Sequence, residues 1–531
     1  MTSPNPSPGA TWRARVEKEL AGASFDDLLL STLAGGISVD PLGPDVEEIA
    51  DAAGFPGLGR QVRGGRCTGP LGGTLCAPLR DEPLPEDLNQ ALLEDLKNGA
   101  PAVHIALDRG ARLGDAGPQA ASSDRGLLLG TRSNLAHALR DVRRDAVELT
   151  FDAGANARPL LQLLIATEAG EQPGTYELGH DPLAALATDG ALPGSLASAW
   201  DDAVDLIAQA ETKWQLRPLS IDSRPFHEAG CDMLLELGLL LASGAQMLRE
   251  LETRGVTPEI AAQHVTLRLA LAPDVFPSLA LLRAARLTWT QLLHSCGVST
   301  PPPTRIHAFE GARSLSKRDP WINILRTTTL TFAAQTGGAD IFTPLTYDRA
   351  LGVPGQLGRR VARNTPNILA LEGHVQRVID PAGGSGHVEA LTDSIARGAW
   401  AVLQSVEANG GISVGLLDGS IQARIAESHA ARRQDILAGR PKLVGVSLYP
   451  PAEVAIPAGP HPLTHLARDV GDAADIDLAT ASQDLDRGAS ASCSPLPRQR
   501  DAAPFEEEGF GPLEPKAMPA AKAAKKQEVV R

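Results

Sequence analysis

Along most of the chain, short apolar runs rich in β-branched and aromatic residues alternate with longer stretches of helical periodicity. The short runs cover residues 103–108, 146–152, 175–178, 219–222, 265–271, 305–309, 340–345 and 375–380. Helical spacing marks 135–142, 160–166, 231–251, 280–293 and 321–335, between most of them. Strands alternating with helices imply a parallel sheet joined by crossovers, and eight strands are the count of an α/β fold of the (β/α)8 TIM-barrel type. An open doubly wound sheet is the alternative allowed by the same pattern. In a barrel the functional residues gather at the C-terminal ends of the strands.

The flanks read differently. Trp12, Val16 and Leu20 recur at helical spacing before Gly35-Gly36, predicting an N-terminal helical arm, and Gly and Pro crowd residues 55–85 as loop. The predicted organisation is therefore an arm and loop region over 1–85, the barrel over 86–396, an extension over 397–469 and a tail over 470–531. Within the extension, helices are expected at 397–408 and 420–438 and a strand-like run at 443–449; the 420–438 helix, with Arg424, Arg432 and Arg433, reads as solvated. The tail degrades into Asp/Ala/Ser, then Pro/Glu, then Ala with Lys522, Lys525 and Lys526. Such a composition buries too little apolar surface to offset ordering entropy, so the tail is expected to be disordered.

Composition narrows the function classes. The 531 residues carry 49 Lys+Arg against 64 Asp+Glu, a formal charge of −15, with 43% apolar residues. An acidic chain with 10 Phe, 3 Tyr and 6 Trp lacks the basic stripes and stacking aromatics of a nucleic-acid platform. Five scattered cysteines form no C-x-x-C pair, so neither a disulfide framework nor a zinc knuckle is expected. No signal peptide opens the chain and no apolar run approaches the ~20 residues of a membrane span, so a cytoplasmic protein without a membrane partner is expected.

Motifs of known chemistry are few. Neither G-x-x-x-x-G-K-[ST] nor H-E-x-x-H nor G-x-S-x-G occurs. Gly383-Gly384-Ser385-Gly386 follows a predicted strand, but its spacing matches no nucleotide fingerprint and reads as a turn. His307 lies inside a predicted strand, where a satisfied core histidine and an active one are both open. His227 and Glu228 fall at the start of a predicted helix and read as helix-terminus residues, and Arg359, Arg360 and Arg363 read as a basic helix face.

A longer string of residues resembles the methylmalonyl-CoA mutase family. It begins at Arg217-Pro218-Leu219-Ser220-Ile221-Asp222 and Glu228-Ala229-Gly230. It strengthens through Leu282-Arg283-Ala284-Ala285-Arg286 and Trp289, and is densest over Asp319-Pro320-Trp321-Ile322-Asn323-Ile324-Leu325-Arg326-Thr327. Tyr347-Asp348-Arg349-Ala350-Leu351-Gly352-Val353-Pro354 and Asp380-Pro381-Ala382-Gly383-Gly384-Ser385 extend it, so that the resemblance covers about residues 12–450. The form of the 319–328 motif is similar to that of the family's small, non-catalytic subunit. The resemblance implies a barrel whose axis takes the pantetheine arm of coenzyme A. In catalytic members, adenosylcobalamin on a C-terminal flavodoxin-like domain starts radical chemistry.

Three departures from the catalytic pattern stand out. The cobalamin signature Asp-x-His-x-x-Gly is absent, and the stretch after Tyr449 is shorter than the ~100–150 residues of a complete domain. Residues 497–506 resemble the stretch leading into that domain in small subunits, as if the domain itself had been dropped. Gly179-His180-Asp181 stands where catalytic members have Gln-Asn-Asp, and Asp189 where they have an Arg for the acyl carboxylate, so repulsion is expected. No Tyr precedes Tyr176, whereas catalytic members carry a Tyr loop near the position of 64–68. His307 matches the His that hydrogen-bonds the thioester carbonyl, but its following residues are changed, so it is expected to be vestigial.

The expectation is thus a small subunit, inactive alone and binding no cofactor itself. Its partner would be a mutase large subunit that holds adenosylcobalamin, with coenzyme A thioester bound at the level of the holoenzyme. A split mutase, in which this chain is the substrate half and a separate protein brings cobalamin, is the alternative; a ligand-free scaffold barrel is a third. The resemblance also implies that the arm around Trp12 clasps the partner, Trp being a common interface anchor.

Overall fold

The computed structural model describes residues 8–41, 54, 56, 61–64, 73–114, 125–167, 174–210, 215–453 and 489–507. Its strands are β1 (Ser31–Thr32), β2 (Ser38–Val39), β3 (Leu75–Cys76), β4 (Leu79–Arg80), β5 (Ala102–Ala106), β6 (Glu148–Asp152), β7 (Thr175–His180), β8 (Gln215–Asp222), β9 (Val265–Leu271), β10 (Arg305–Glu310) and β11 (Ile341–Thr343). β1 and β2 form an antiparallel hairpin. The other nine make one parallel sheet in the order β3-β11-β10-β9-β8-β7-β6-β5-β4.

That sheet curls until its two ends meet in one chain segment. β3 pairs with β11 and β4 with β5, and only Ala77 and Pro78 separate them. The Ala77 amide donates to Phe342 O at 2.9 Å and the His104 amide to Pro78 O at 3.1 Å, so residues 75–80 act as one strand that closes a TIM-barrel-like cylinder. Seven of the eight predicted strands are present, within a few residues. The eighth is not 375–380, which has no strand pairing; the closing strand instead comes from the segment expected to be loop. The physical reason lies in Asp380, which sits at φ 48 and carries a carboxylate that joins Arg63 to Arg283. A bent, charge-bracketing segment cannot offer a ladder of amides. Conversely, a two-plus-two-residue strand among glycines is too short for its periodicity to show.

Alternation along the barrel strands sorts the side chains. Val103, Ile105, Leu149, Phe151, Tyr176 and Leu178 face one group of helices. Leu219, Ile221, Leu267, Leu269, Ile306, Ala308 and Phe342 face another, which includes Met233–Thr253, Val275–Ser295 and Gly386–Ala408. The opposite positions turn inward, and most are polar: His104, Thr150, Asp152, Glu177, Ser220, Thr266, Arg268, His307 and Thr343. All but the carboxylate of Asp152 are essentially inaccessible.

Several peripheral expectations change. The helix Gly386–Ala408 runs unbroken across the expected boundary at 396, after a turn at Gly383–Ser385 whose Gly384 amide donates to Glu389 at 3.0 Å. Residues 443–449 make turns instead of a strand. The guanidinium of Arg363 is buried and pairs with Asp95 at 2.7 Å, so this helix position is structural and not a solvated basic face. In the tail, residues 489–507 pack back on the barrel, because Leu496, Ala502 and Phe505 supply apolar anchors that the surrounding composition obscures. Residues 508–531 and 454–488 lie outside the described residues. On the arm, the helix Pro8–Glu19 keeps Trp12, Val16 and Leu20 partly covered and its other described side chains exposed.

Candidate functional site on the barrel axis

The inward positions converge on Arg268 of β9. Its Nε and Nη2 donate to Glu177 Oε1 at 3.1 and 3.0 Å, its Nη2 also to Phe151 O at 3.0 Å, and its Nη1 to Asp152 Oδ1 at 2.9 Å. Arg224, at the start of the helix after β8, reaches the same Asp152 at 2.6 Å and grips Asp222 through Nε at 2.9 Å. Its guanidinium lies 3.9 Å over the Phe309 ring. Nε2 of His104 stands 3.0 Å from Asp152, and its Nδ1 is joined to Thr150 Oγ1 at 2.6 Å. A charge taken out of water must be paired and hydrogen-bonded, and the guanidiniums of Arg268 and Arg224 are, through Glu177, Asp152 and Asp222.

His307 sits within this network. Its Nε2 is joined to Thr343 Oγ1 at 2.8 Å and its Nδ1 faces Glu177 Oε1 at 3.4 Å, so both ring nitrogens are occupied. The ring stacks on Phe309 at 4.0 Å and meets the edge of His104 at 5.3 Å. Burial, against the pull of Glu177, brings its pKa down to about 3, which leaves the imidazole neutral near pH 7. Burial would raise the Glu177 and Asp152 carboxyls, but Arg268 beside Glu177 and Arg224 beside Asp152 hold both well below the usual carboxylate range.

These contacts span the barrel. β5 and β10, which bring His104 and His307 together, stand three places apart around the sheet, as do β6 and β9, which bring Asp152 and Arg268 together. Side chains from nearly opposite walls therefore touch, and the middle of the axis is filled by the protein's own ion pairs. Gly179 makes this possible. It lies in the register slip of β7 at φ 72, and a Cβ there would stand 2.4 Å from Arg268 Nη1. Gly179 is thus the space that the arginine occupies.

Asp189 does not face the axis as a bare anion. Arg112 clasps both its carboxylate oxygens, at 2.9 and 2.6 Å, and Arg109 donates to its carbonyl at 2.9 Å. The expected repulsion is therefore neutralised locally. His227 ends the helix Arg224–Glu228 rather than beginning one, and its Nδ1 pairs with Glu236 at 2.8 Å. Of the loop at 64–68, residues 65–68 lie outside the described residues. Among the described residues, no group of three or more His, Cys, Asp or Glu is placed to hold a metal ion.

The C-terminal side of the barrel is crossed by residues 489–507. The amides of Cys493 and Leu496 donate to Gly190 O and Ala187 O after β7, that of Gln499 to Glu228 O after β8, and that of Asp501 to Arg313 O after β10. Arg432 donates to Asp501 at 2.8 Å, and Glu506 accepts from the amides of Lys317 and Arg318 at 2.8 and 3.0 Å. This strap also corrects the reading of the 420–438 helix, whose Arg432 is held by it.

Sequence reasoning singled out His307 but missed Arg268, Glu177, Asp152, Arg224 and His104. A usable signal was present: Glu177 and Arg268 each stand mid-strand among apolar neighbours, where a charge survives only beside a counter-charge.

A family model for methylmalonyl-CoA mutase matches residues 44–486. The methylmalonyl-CoA mutase small subunit of Streptomyces virginiae is 36% identical over 459 residues, which span 83% of this chain and 71% of that protein. The small subunit of the same name from Propionibacterium freudenreichii subsp. shermanii is 29% identical over 437 residues, 82% of this chain and 66% of that one. The methylmalonyl-CoA mutase large subunit of that organism is 33% identical over 249 residues, 46% of this chain and 34% of that one. With the family model covering the whole barrel, the chain belongs to the methylmalonyl-CoA mutase family.

Proposed function

We propose that the chain is the non-catalytic small subunit of a heterodimeric, adenosylcobalamin-dependent methylmalonyl-CoA mutase and supports a large subunit that carries out the isomerisation. The observation that carries this reading is the filled axis. A pantetheine arm would have to displace the Arg268–Glu177–Asp152 pairs, and removing one partner of a buried pair costs about 3–5 kcal/mol. The names of the relatives point the same way. The chain's own residues do not fit the cofactor: the sequence holds no Asp-x-His-x-x-Gly, and the strap 489–507 lies on the barrel side where it would dock. In this reading adenosylcobalamin, the source of the radical, belongs to the partner, and His307 is vestigial.

The test is to purify the chain alone and together with its large subunit. The isolated chain should bind neither a coenzyme A thioester nor adenosylcobalamin by calorimetry, and turnover should require the large subunit. Thioester binding by the isolated chain, with turnover restored by a separate cobalamin-binding protein, would establish the split mutase instead.

A further inference from the structure

Among the described residues, nine of the fifteen exposed large apolar side chains fall within residues 321–378 and 444–449. They lie on two adjacent helices, Asn323–Thr336 and Gln356–Leu371, on the 3-10 turn Pro320–Ile322 before the first, on the segment after the second, and on a turn bonded to the first through Arg326 Nη2 and Val444 O at 2.7 Å. On the second helix, Leu357, Ile368 and Leu371 recur at helical spacing and are 49, 52 and 71% exposed; Leu325 on the first is 61% exposed. A helix face this apolar, turned away from its own core, is what a partner covers.

Area and charge narrow the partner. Nine large side chains, each roughly half exposed, present on the order of 900 Å². That sum, with Arg360 and Asn364 set between Leu357 and Ile368, is comparable to the ~800 Å² that each side of a stable interface buries. The exposed charges around the patch are three basic (Arg360, Arg377 and Lys442) against two acidic (Glu372 and Glu453), with Arg440 paired to Asp435 at 2.9 Å, although the chain as a whole carries −15. Two copies of this face would oppose basic rim to basic rim, whereas a partner with an acidic rim would be steered onto it.

We infer that this face docks the barrel of the large subunit, a protein of the same family, and that the patch supplies affinity while the basic rim supplies association rate. The inference rests on the small-subunit reading and adds the surface to it.

The test uses the full-length chain and its large subunit, with binding followed by interferometry and sedimentation velocity. Leu325→Glu/Leu371→Glu should retain the melting temperature and weaken pairing about 100-fold or more. Arg360→Glu/Arg377→Glu should slow association and flatten its salt dependence with little change in dissociation; it also keeps the test decisive should the first variant misfold. Wild-type pairing that survives both double substitutions overturns the assignment of this face and leaves the small-subunit reading standing. Self-association of the wild type through this face overturns it in favour of a second copy. Failure of the wild type to bind the large subunit at all defeats the small-subunit reading itself, and this inference with it.

Discussion

Arg268 shows how one side chain sets the chemistry of the axis. It neutralises two buried carboxylates at once, and its own burial is tolerable only because they are there. Arg268→Ala should therefore destabilise the fold by about 3–5 kcal/mol, while Arg268→Met combined with Glu177→Gln should recover much of the loss. A double-mutant cycle by denaturant unfolding measures the coupling, and additivity within ~0.5 kcal/mol would contradict the network. A second residue-scale effect concerns Glu310, whose carboxylate accepts from Thr327 Oγ1 at 2.9 Å and the Leu345 amide at 2.8 Å. Burial lifts its pKa from 4.5 to about 8, against the opposing pull of Arg326 and Arg349. The folded state thus holds a proton that the unfolded chain releases. This contribution favours folding below pH 4.5 and is lost progressively as pH climbs toward 8. Glu310→Gln should flatten the fall in melting temperature between pH 5 and 8; an unchanged slope would show that Glu310 ionises in the fold as it does in water.

At the scale of elements, the strap 489–507 is the feature most at odds with its composition. It is short of apolar residues, yet Leu496, Ala502 and Phe505 are all buried, and Asp501 is held by Arg432. Its order comes from docking on the barrel, not from local propensity. Phe505→Ala should cost about 3–5 kcal/mol of local stability. Hydrogen exchange should then speed up at the amides of Cys493, Leu496 and Asp501 while those of β8 and β9 stay protected. Loss of protection across the barrel strands would mean that the strap and barrel unfold as one unit.

For the whole molecule, the arm divides into two parts. Ile37 of the β1–β2 hairpin belongs to the main core, Leu33 packs partly buried against it, and Gly35 lies close against Leu234. The preceding helix is held more lightly, with Trp12 edge-on to Phe25 at 6.0 Å and Arg13 over the same ring at 4.3 Å. Deleting residues 1–24 should leave the melting temperature nearly unchanged and weaken pairing with the large subunit. Deleting 1–40 should lower the melting temperature by several degrees as well. If the shorter deletion melts as low as the longer one, the helix is a cap on its own barrel.

The alternation of strands with helices determined the barrel, because parallel strands need crossovers and period-two burial needs helices outside. Seven strands could be read directly from local pattern, and the family from the ordered string of motifs between residues 217 and 385; the polarity of the inward positions was not read there. Tertiary structure alone decided the rest. The closing strand at 75–80 is too short to carry a periodicity, and exists because its neighbours β5 and β11 need partners on both sides. The pairing of Arg268 with Asp152, 116 residues away, depends on the curl that brings β9 opposite β6. Residues 489–507 became ordered only where distant loops offered them carbonyls. Local propensity is a property of neighbours in sequence; closure, buried charge pairing and docking are properties of neighbours in space.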